Sequence, residues 1–78
     1  MNMKERAEFV QSMNNVVKHL NDENAYMHWI TVVPDEAEQA DFEDIAYDEE
    51  LFDEVVYMFK NIMELYLKNG IYIGKTCY

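Results

Sequence analysis

Helix breakers are scarce in this sequence. Pro34, Gly70 and Gly74 are its only proline and glycines, and a chain so poor in turn formers leans toward an α fold. Cys77 is the single cysteine, which excludes an intramolecular disulfide as a source of stability. No stretch approaches the ~18 uncharged apolar residues of a membrane span. The opening Met-Asn-Met-Lys-Glu-Arg has no apolar signal core, so a cytoplasmic setting is expected. Positive charge is equally sparse. Six Lys and Arg stand against sixteen Asp and Glu, a net charge of −10, and no Lys or Arg occurs between Lys18 and Lys60. Direct binding to DNA, RNA or anionic lipid needs a basic patch to neutralise phosphates, and that class is excluded. A basic protein partner fits the charge instead. No internal repeat, low-complexity tract or Gly/Ser linker divides the chain, so residues 1–78 read as one domain.

Apolar residues, by contrast, are plentiful. Half the residues are hydrophobic, with six Tyr, four Phe and one Trp, which suits a packed core and not a disordered tail. A monomer of this size has a high surface-to-volume ratio and is only marginally stable; a homodimer would relieve that. Phe9, Val10, Met13, Val16, Val17 and Leu20 fall on one helical stripe, predicting a helix over 3–20. Asn2 is its expected N-cap, with Glu5 three residues on. Asn21-Asp22 then offers a stop and a new cap. A second, short helix is expected over 23–31, running into an extended stretch. The β-branched run Ile30-Thr31-Val32-Val33 before Pro34 makes a strand over 29–33 the alternative. Asp35 and Glu38 have capping-box spacing for one or two helical turns that dock Phe42, Ile45 and Ala46. Asp48 is the predicted N-cap of a strong helix over 49–68, with Phe52, Val55, Val56, Phe59, Ile62, Met63 and Tyr66 in its stripe and Gly70 as a left-handed stop. The expected fold is mainly α. It is a small bundle of three to four helices, with an optional two-stranded ribbon of 29–33 with 71–74. Val10, Val17, Trp29, Ile45, Phe52, Val55, Phe59 and Ile62 are the expected core.

Chemistry has little to work with. Ser12, the only serine, lies in the middle of the first helix. Cys77 has only Lys75 nearby in sequence to lower its pKa. His19 has Asp22 and Glu23 at ligand-like spacing, but a helix break at Asn21 would spoil it, and a cationic His suits a helix C-terminus. An EF-hand loop begun at Asp41 would put Ile45 and Ala46 where an oxygen ligand and a glycine are needed. A phosphate-cradling loop is excluded by the two glycines. The expectation is a protein without enzymatic activity, cofactor or dedicated metal site.

The residues from Asp35 to Glu54 are the informative stretch. They include 11 acids in 20 residues. If helical throughout they would span roughly 30 Å, one charge per ~2.7 Å, against one per ~3.4 Å along a DNA strand. Such a surface can block a partner that grips phosphates. Part of this charge has local work, because acids stabilise helix N-termini; Asp35, Glu36, Asp48, Glu49 and Glu50 are assigned to that role. The remainder, Glu38, Asp41, Glu43, Asp44, Asp53 and Glu54, are the candidate partner-binding residues. Tyr57 joins them because tyrosine is favoured at interfaces, and Tyr47 and Tyr66 raise the same possibility of a Tyr-led surface.

Trp29-Ile30 through Val33-Pro34-Asp35-Glu36-Ala37, then Asp41-Phe42-Glu43-Asp44-Ile45-Ala46, then Glu50-Leu51-Phe52 with Val55 and Phe59, resemble short acidic hypothetical proteins of bacterial genomes and phage-like elements. The resemblance covers most of the chain. It brings no assigned activity and no functional residues. It implies a mobile-element setting, in which small inhibitors of host machinery are common. The expectation is therefore a small acidic binding protein, in its sharpest form an inhibitor of a nucleic-acid-handling protein by phosphate mimicry. The alternative is an interaction or homo-oligomerising helical module that uses its tyrosines, its acids serving solubility alone.

Overall fold

A computed structural model describes residues 1–76, with side chains through Tyr66; Cys77 and the expectation attached to it lie outside that range. Four helices follow in order: α1 (Met3–His19), α2 (Glu23–Trp29), α3 (Gln39–Tyr47) and α4 (Glu49–Thr76). The mainly helical bundle read from the sequence is the fold. Its long dimension is 46 Å, close to the ~42 Å rise of a 28-residue helix.

Local chemistry starts three of the helices where the sequence placed them. The Glu5 N–H donates to Asn2 Oδ1 at 2.8 Å, the Ala25 N–H to Asp22 Oδ1 at 3.2 Å, and the Leu51 N–H to Asp48 Oδ1 at 3.1 Å. Each bond satisfies a backbone donor that the first helical turn leaves open. Between α1 and α2 the chain reverses at Asn21, whose φ of 53° is the left-handed geometry asparagine tolerates best among non-glycine residues.

Packing centres on Trp29, which is fully buried with Val10, Val17, Val33 and Val55. Its indole N–H donates to Asn14 Oδ1 at 2.8 Å. Its ring meets Phe59 edge-on at 6.0 Å, a favoured aromatic geometry. One side chain thus joins α1, α2 and α4. α1 packs chiefly on α3, and α4 touches all three other helices. Phe42, Ile45 and Ala46 dock α3 as expected. Phe52 and Phe59 are only partly buried against the core. Phe52 is covered by Phe9 at 6.3 Å and by the Arg6 guanidinium at 5.1 Å from the ring centroid, a cation–π contact.

The structure departs from the sequence reading at three places. First, 29–33 is neither strand nor extended stretch. It turns tightly, with the Val32 and Val33 N–H groups both donating to the Trp29 carbonyl at 3.0 Å, which buries Trp29 and Val33 together. The optional ribbon does not form, because 71–74 lies inside α4 and a lone strand has no ladder partner. Second, α3 starts one turn later than Asp35. Glu36 takes a φ of 56°, which ends any helix there at a cost of about 1–2 kcal/mol. The Asp35 carboxylate instead accepts a short hydrogen bond from the Tyr26 hydroxyl. Third, α4 does not stop at Gly70 but runs on through Thr76. Glycine within a helix costs only about 1 kcal/mol relative to alanine, and the helix continues through it.

Candidate protein-binding surface

α3 and α4 expose matching faces. On α4, Glu50, Asp53, Glu54 and Tyr57 recur at i, i+3, i+4 and i+7, and all four are exposed. On α3, Ala40, Glu43, Asp44 and Tyr47 have the same spacing and are exposed as well. Residues 42–47 read Phe-Glu-Asp-Ile-Ala-Tyr, and residues 52–57 read Phe-Asp-Glu-Val-Val-Tyr. This is a short repeat of one pattern, aromatic, acid, acid, aliphatic, aliphatic, Tyr, which corrects the reading that the chain has no internal repeat. Helical periodicity gives each unit the same division of labour. Ile45, Ala46 and Val55 are buried, and Val56 is half-buried. The two carboxylates and the phenol of each unit face water. Tyr47 and Tyr57 are 69% and 68% exposed, well above the partial burial of a tyrosine that rims a core.

The candidate residues fall into three groups. Glu43 and Asp44 share the outer side of α3 with Tyr47. Asp53 and Glu54 share the outer side of α4 with Tyr57. Glu38 and Asp41 are engaged locally: Glu38 is the N-cap of α3, and its N–H donates to Asp41 Oδ2 at 2.8 Å, with Asp41 half-buried. The helix-start role read for Asp35 and Glu36 thus belongs to Glu38 and Asp41. Asp48, Glu49 and Glu50 do open α4.

Like charges at i, i+3 and i, i+4 destabilise a helix by a few tenths of a kcal/mol per pair. Glu50 forms such pairs with Asp53 and Glu54, and Glu49 forms one with Asp53. The favourable helix dipole fades within the first turn. Asp53 and Glu54 therefore gain little from their position in the helix.

Other polar chemistry is sparse. Tyr26 has its hydroxyl pKa raised above 10.0, first by its hydrogen bond to Asp35, then by burial and by the charge of the same carboxylate. The Nδ1–H groups of His19 and His28 donate to the Asn15 and Asn24 carbonyls, each at 2.8 Å. Among the described residues no three His, Cys, Asp or Glu side chains gather as a metal-holding group, and no helix is long and apolar enough to cross a membrane. A cleft of about 620 Å³ separates α2 from the distal part of α4. No known protein family, curated protein or solved structure matches this chain.

Sequence reasoning missed two features here. The repeat was visible as a ten-residue offset between Tyr47 and Tyr57, hidden by the Glu/Asp and Ile/Val exchanges within it. Asn14 is the only buried polar residue among those described. Its signal was its position four residues after Val10 and three before Val17, on the apolar stripe.

Proposed function

We propose that this is a small non-enzymatic binding protein whose twin acid–acid–Tyr faces dock on a basic protein surface. In its sharpest form it inhibits a nucleic-acid-handling protein by occupying the sites that would hold phosphates. The observation that carries the reading is the repetition itself. Two successive helices expose the same pair of carboxylates with the same tyrosine, and the two tyrosines are almost equally exposed. Solubility alone requires acids but not a paired, exposed phenol beside each pair. Carboxylates accept charge-assisted hydrogen bonds from Lys and Arg. Tyrosine adds rigid amphipathic contact area and can stack on a guanidinium. A mobile-element setting, in which host machinery would be the target, belongs to the same proposal.

The protein immobilised on a column should retain nucleic-acid-binding proteins from lysate. Duplex DNA should elute them by competition, and retention should fall steeply as salt rises. Glu43→Gln and Asp44→Asn combined with Asp53→Asn and Glu54→Gln should abolish retention. Elution that ignores both DNA and salt would overturn the mimic reading. Retention that survives charge removal but fails with Tyr47→Ala and Tyr57→Ala would favour the Tyr-led interface, the second reading, which the same tyrosine exposures support.

A further inference from the structure

We propose that α3 has two alternative starts, and that the Tyr26 hydroxyl selects the shorter helix by holding the Asp35 carboxylate. In the structure α3 begins at Gln39, with Glu38 as its N-cap and the Glu38 N–H donating to Asp41 Oδ2 at 2.8 Å. The chain offers the same spacing once more, just upstream. Asp35 stands three residues before Glu38, as Glu38 stands three before Asp41. Aspartate is a favoured N-cap, and Glu at the third helical position suits a capping box. Between them, Glu36 and Ala37 are helix formers. A start capped by Asp35 would add residues 36–38 to α3.

Two features hold the chain away from the earlier start. The Asp35 carboxylate is taken by the Tyr26 hydroxyl, nine residues back on α2. Glu36 takes a φ of 56°. Asn21, the other positive-φ residue, is of a type that tolerates this geometry, whereas glutamate is not. For a residue with a Cβ the left-handed backbone disfavours its state by roughly tenfold, so Glu36 is kept there by its surroundings. A hydrogen bond to a charged acceptor favours its state by about tenfold or more. The Tyr26–Asp35 bond is thus large enough to hold Glu36, though not by a wide margin. Ala37, half-buried against the core, adds to the shorter form.

The longer form has gains of its own. A right-handed Glu36 escapes its penalty. The Gln39 and Ala40 N–H groups belong to the first turn of the shorter α3, whose donors have no partner within the helix; the longer form gives them the Asp35 and Glu36 carbonyls. The released Asp35 carboxylate caps the new first turn. Two forms balanced this closely exchange under a modest bias. In the longer form Glu36, Ala40, Glu43 and Tyr47 stand at i, i+4, i+7 and i+11, so Glu36 joins the outer side of α3. A basic partner docked there would draw α3 toward the longer form. That consequence rests on the proposed docking face; the two starts do not.

Tyr26→Phe in the full chain tests the proposal, because it removes the hydroxyl and keeps the half-buried ring. Nuclear magnetic resonance should show helical contacts from the Asp35 Hα to the Glu38 N–H and from the Glu36 Hα to the Gln39 N–H, both absent in the parent. The Gln39 and Ala40 amides should exchange with solvent roughly threefold or more slowly than in the parent. Glycine removes the penalty on a left-handed backbone and weakens a helix, so Tyr26→Phe combined with Glu36→Gly should return to the parent pattern. Trp29 fluorescence should remain that of a buried indole in every variant. Tyr26→Phe with Glu36 still left-handed would overturn the proposal. So would a segment 35–38 that loses order without gaining helical contacts, or a longer start that persists in the double variant. Loss of the buried Trp29 emission would overturn it too, because the hydroxyl would then support the core and not select a start. No partner is present in these measurements, so their outcome is separate from that of the docking face.

Discussion

The two sides of α4 answer to different demands. One side carries Val55, fully buried, and Ile62, with Phe59 against the Trp29 ring. Val55 and Ile62 are buried there, so a substitution at either disturbs the core. The other side carries Glu50, Asp53, Glu54 and Tyr57, all exposed, and in Asp53 and Glu54 it holds acids that the helix gains little from. Packing accounts for the first side. The second side has a repeated pattern that packing does not require, which is why a partner is sought there and not in the core.

Substitutions should separate the two sides by magnitude. Trp29→Ala should cost about 3–5 kcal/mol, comparable to the whole stability expected of so small a domain. Loss of helical circular dichroism at room temperature would register it, and a folded variant with a near-parental urea midpoint would break the comparison. Asn14→Ala leaves the buried indole N–H of Trp29 without its acceptor and should cost about 1–3 kcal/mol in urea unfolding. Asp48→Ala, which removes the α4 cap, should cost about 1 kcal/mol by the same measurement. Asp53→Asn with Glu54→Gln should move the midpoint by no more than about 0.5 kcal/mol, toward higher stability if at all, because like-charge pairs disappear. A large destabilisation there would mean that the outer side of α4 has structural work after all.

A pH experiment sharpens the contrast from a different part of the molecule. Tyr26 has a folded-state pKa raised above 10.0, so its neutral form is the one the fold favours. Its contribution is complete below pH 10.0 and is lost as pH rises from there through the raised folded value. Thermal unfolding should therefore show the parent losing more stability in that window than Tyr26→Phe does. Equal losses would remove the Tyr26–Asp35 hydrogen bond from the account of how the α2–α3 connection is held.

Much of the fold was legible because its signals are local. Asn2, Asp22 and Asp48 each sit three residues before the N–H they accept from, so one turn of sequence contains the whole interaction. The buried stripe of α1 needed only the periodicity of Val10, Met13 and Val17. The candidate residues were legible as charges, but not as a surface. Which acids act as caps depended on where α3 begins, and Glu36 decided that by adopting a left-handed backbone. The start of α3 then drew Glu38 and Asp41 into capping and left Glu43, Asp44, Asp53 and Glu54 facing water beside their tyrosines.

By itself, then, the sequence determined the helix starts at Asn2, Asp22 and Asp48, the apolar faces of α1, α3 and α4, and the excess of negative charge. These rest on residue type and on spacings within a few turns. Only the tertiary structure decided that Ile30–Val33 turns instead of extending, that Trp29 takes Asn14 as its partner, and that α4 passes through Gly70. In the first two cases groups far apart in sequence compete with a local preference. The β-branched run favours an extended backbone, but a strand would need a partner to pair with, whereas the turn buries Trp29 and Val33 together in a core built by other helices. At Gly70 the local preference is itself weak, about 1 kcal/mol, and a helix already nearly six turns long overrides it.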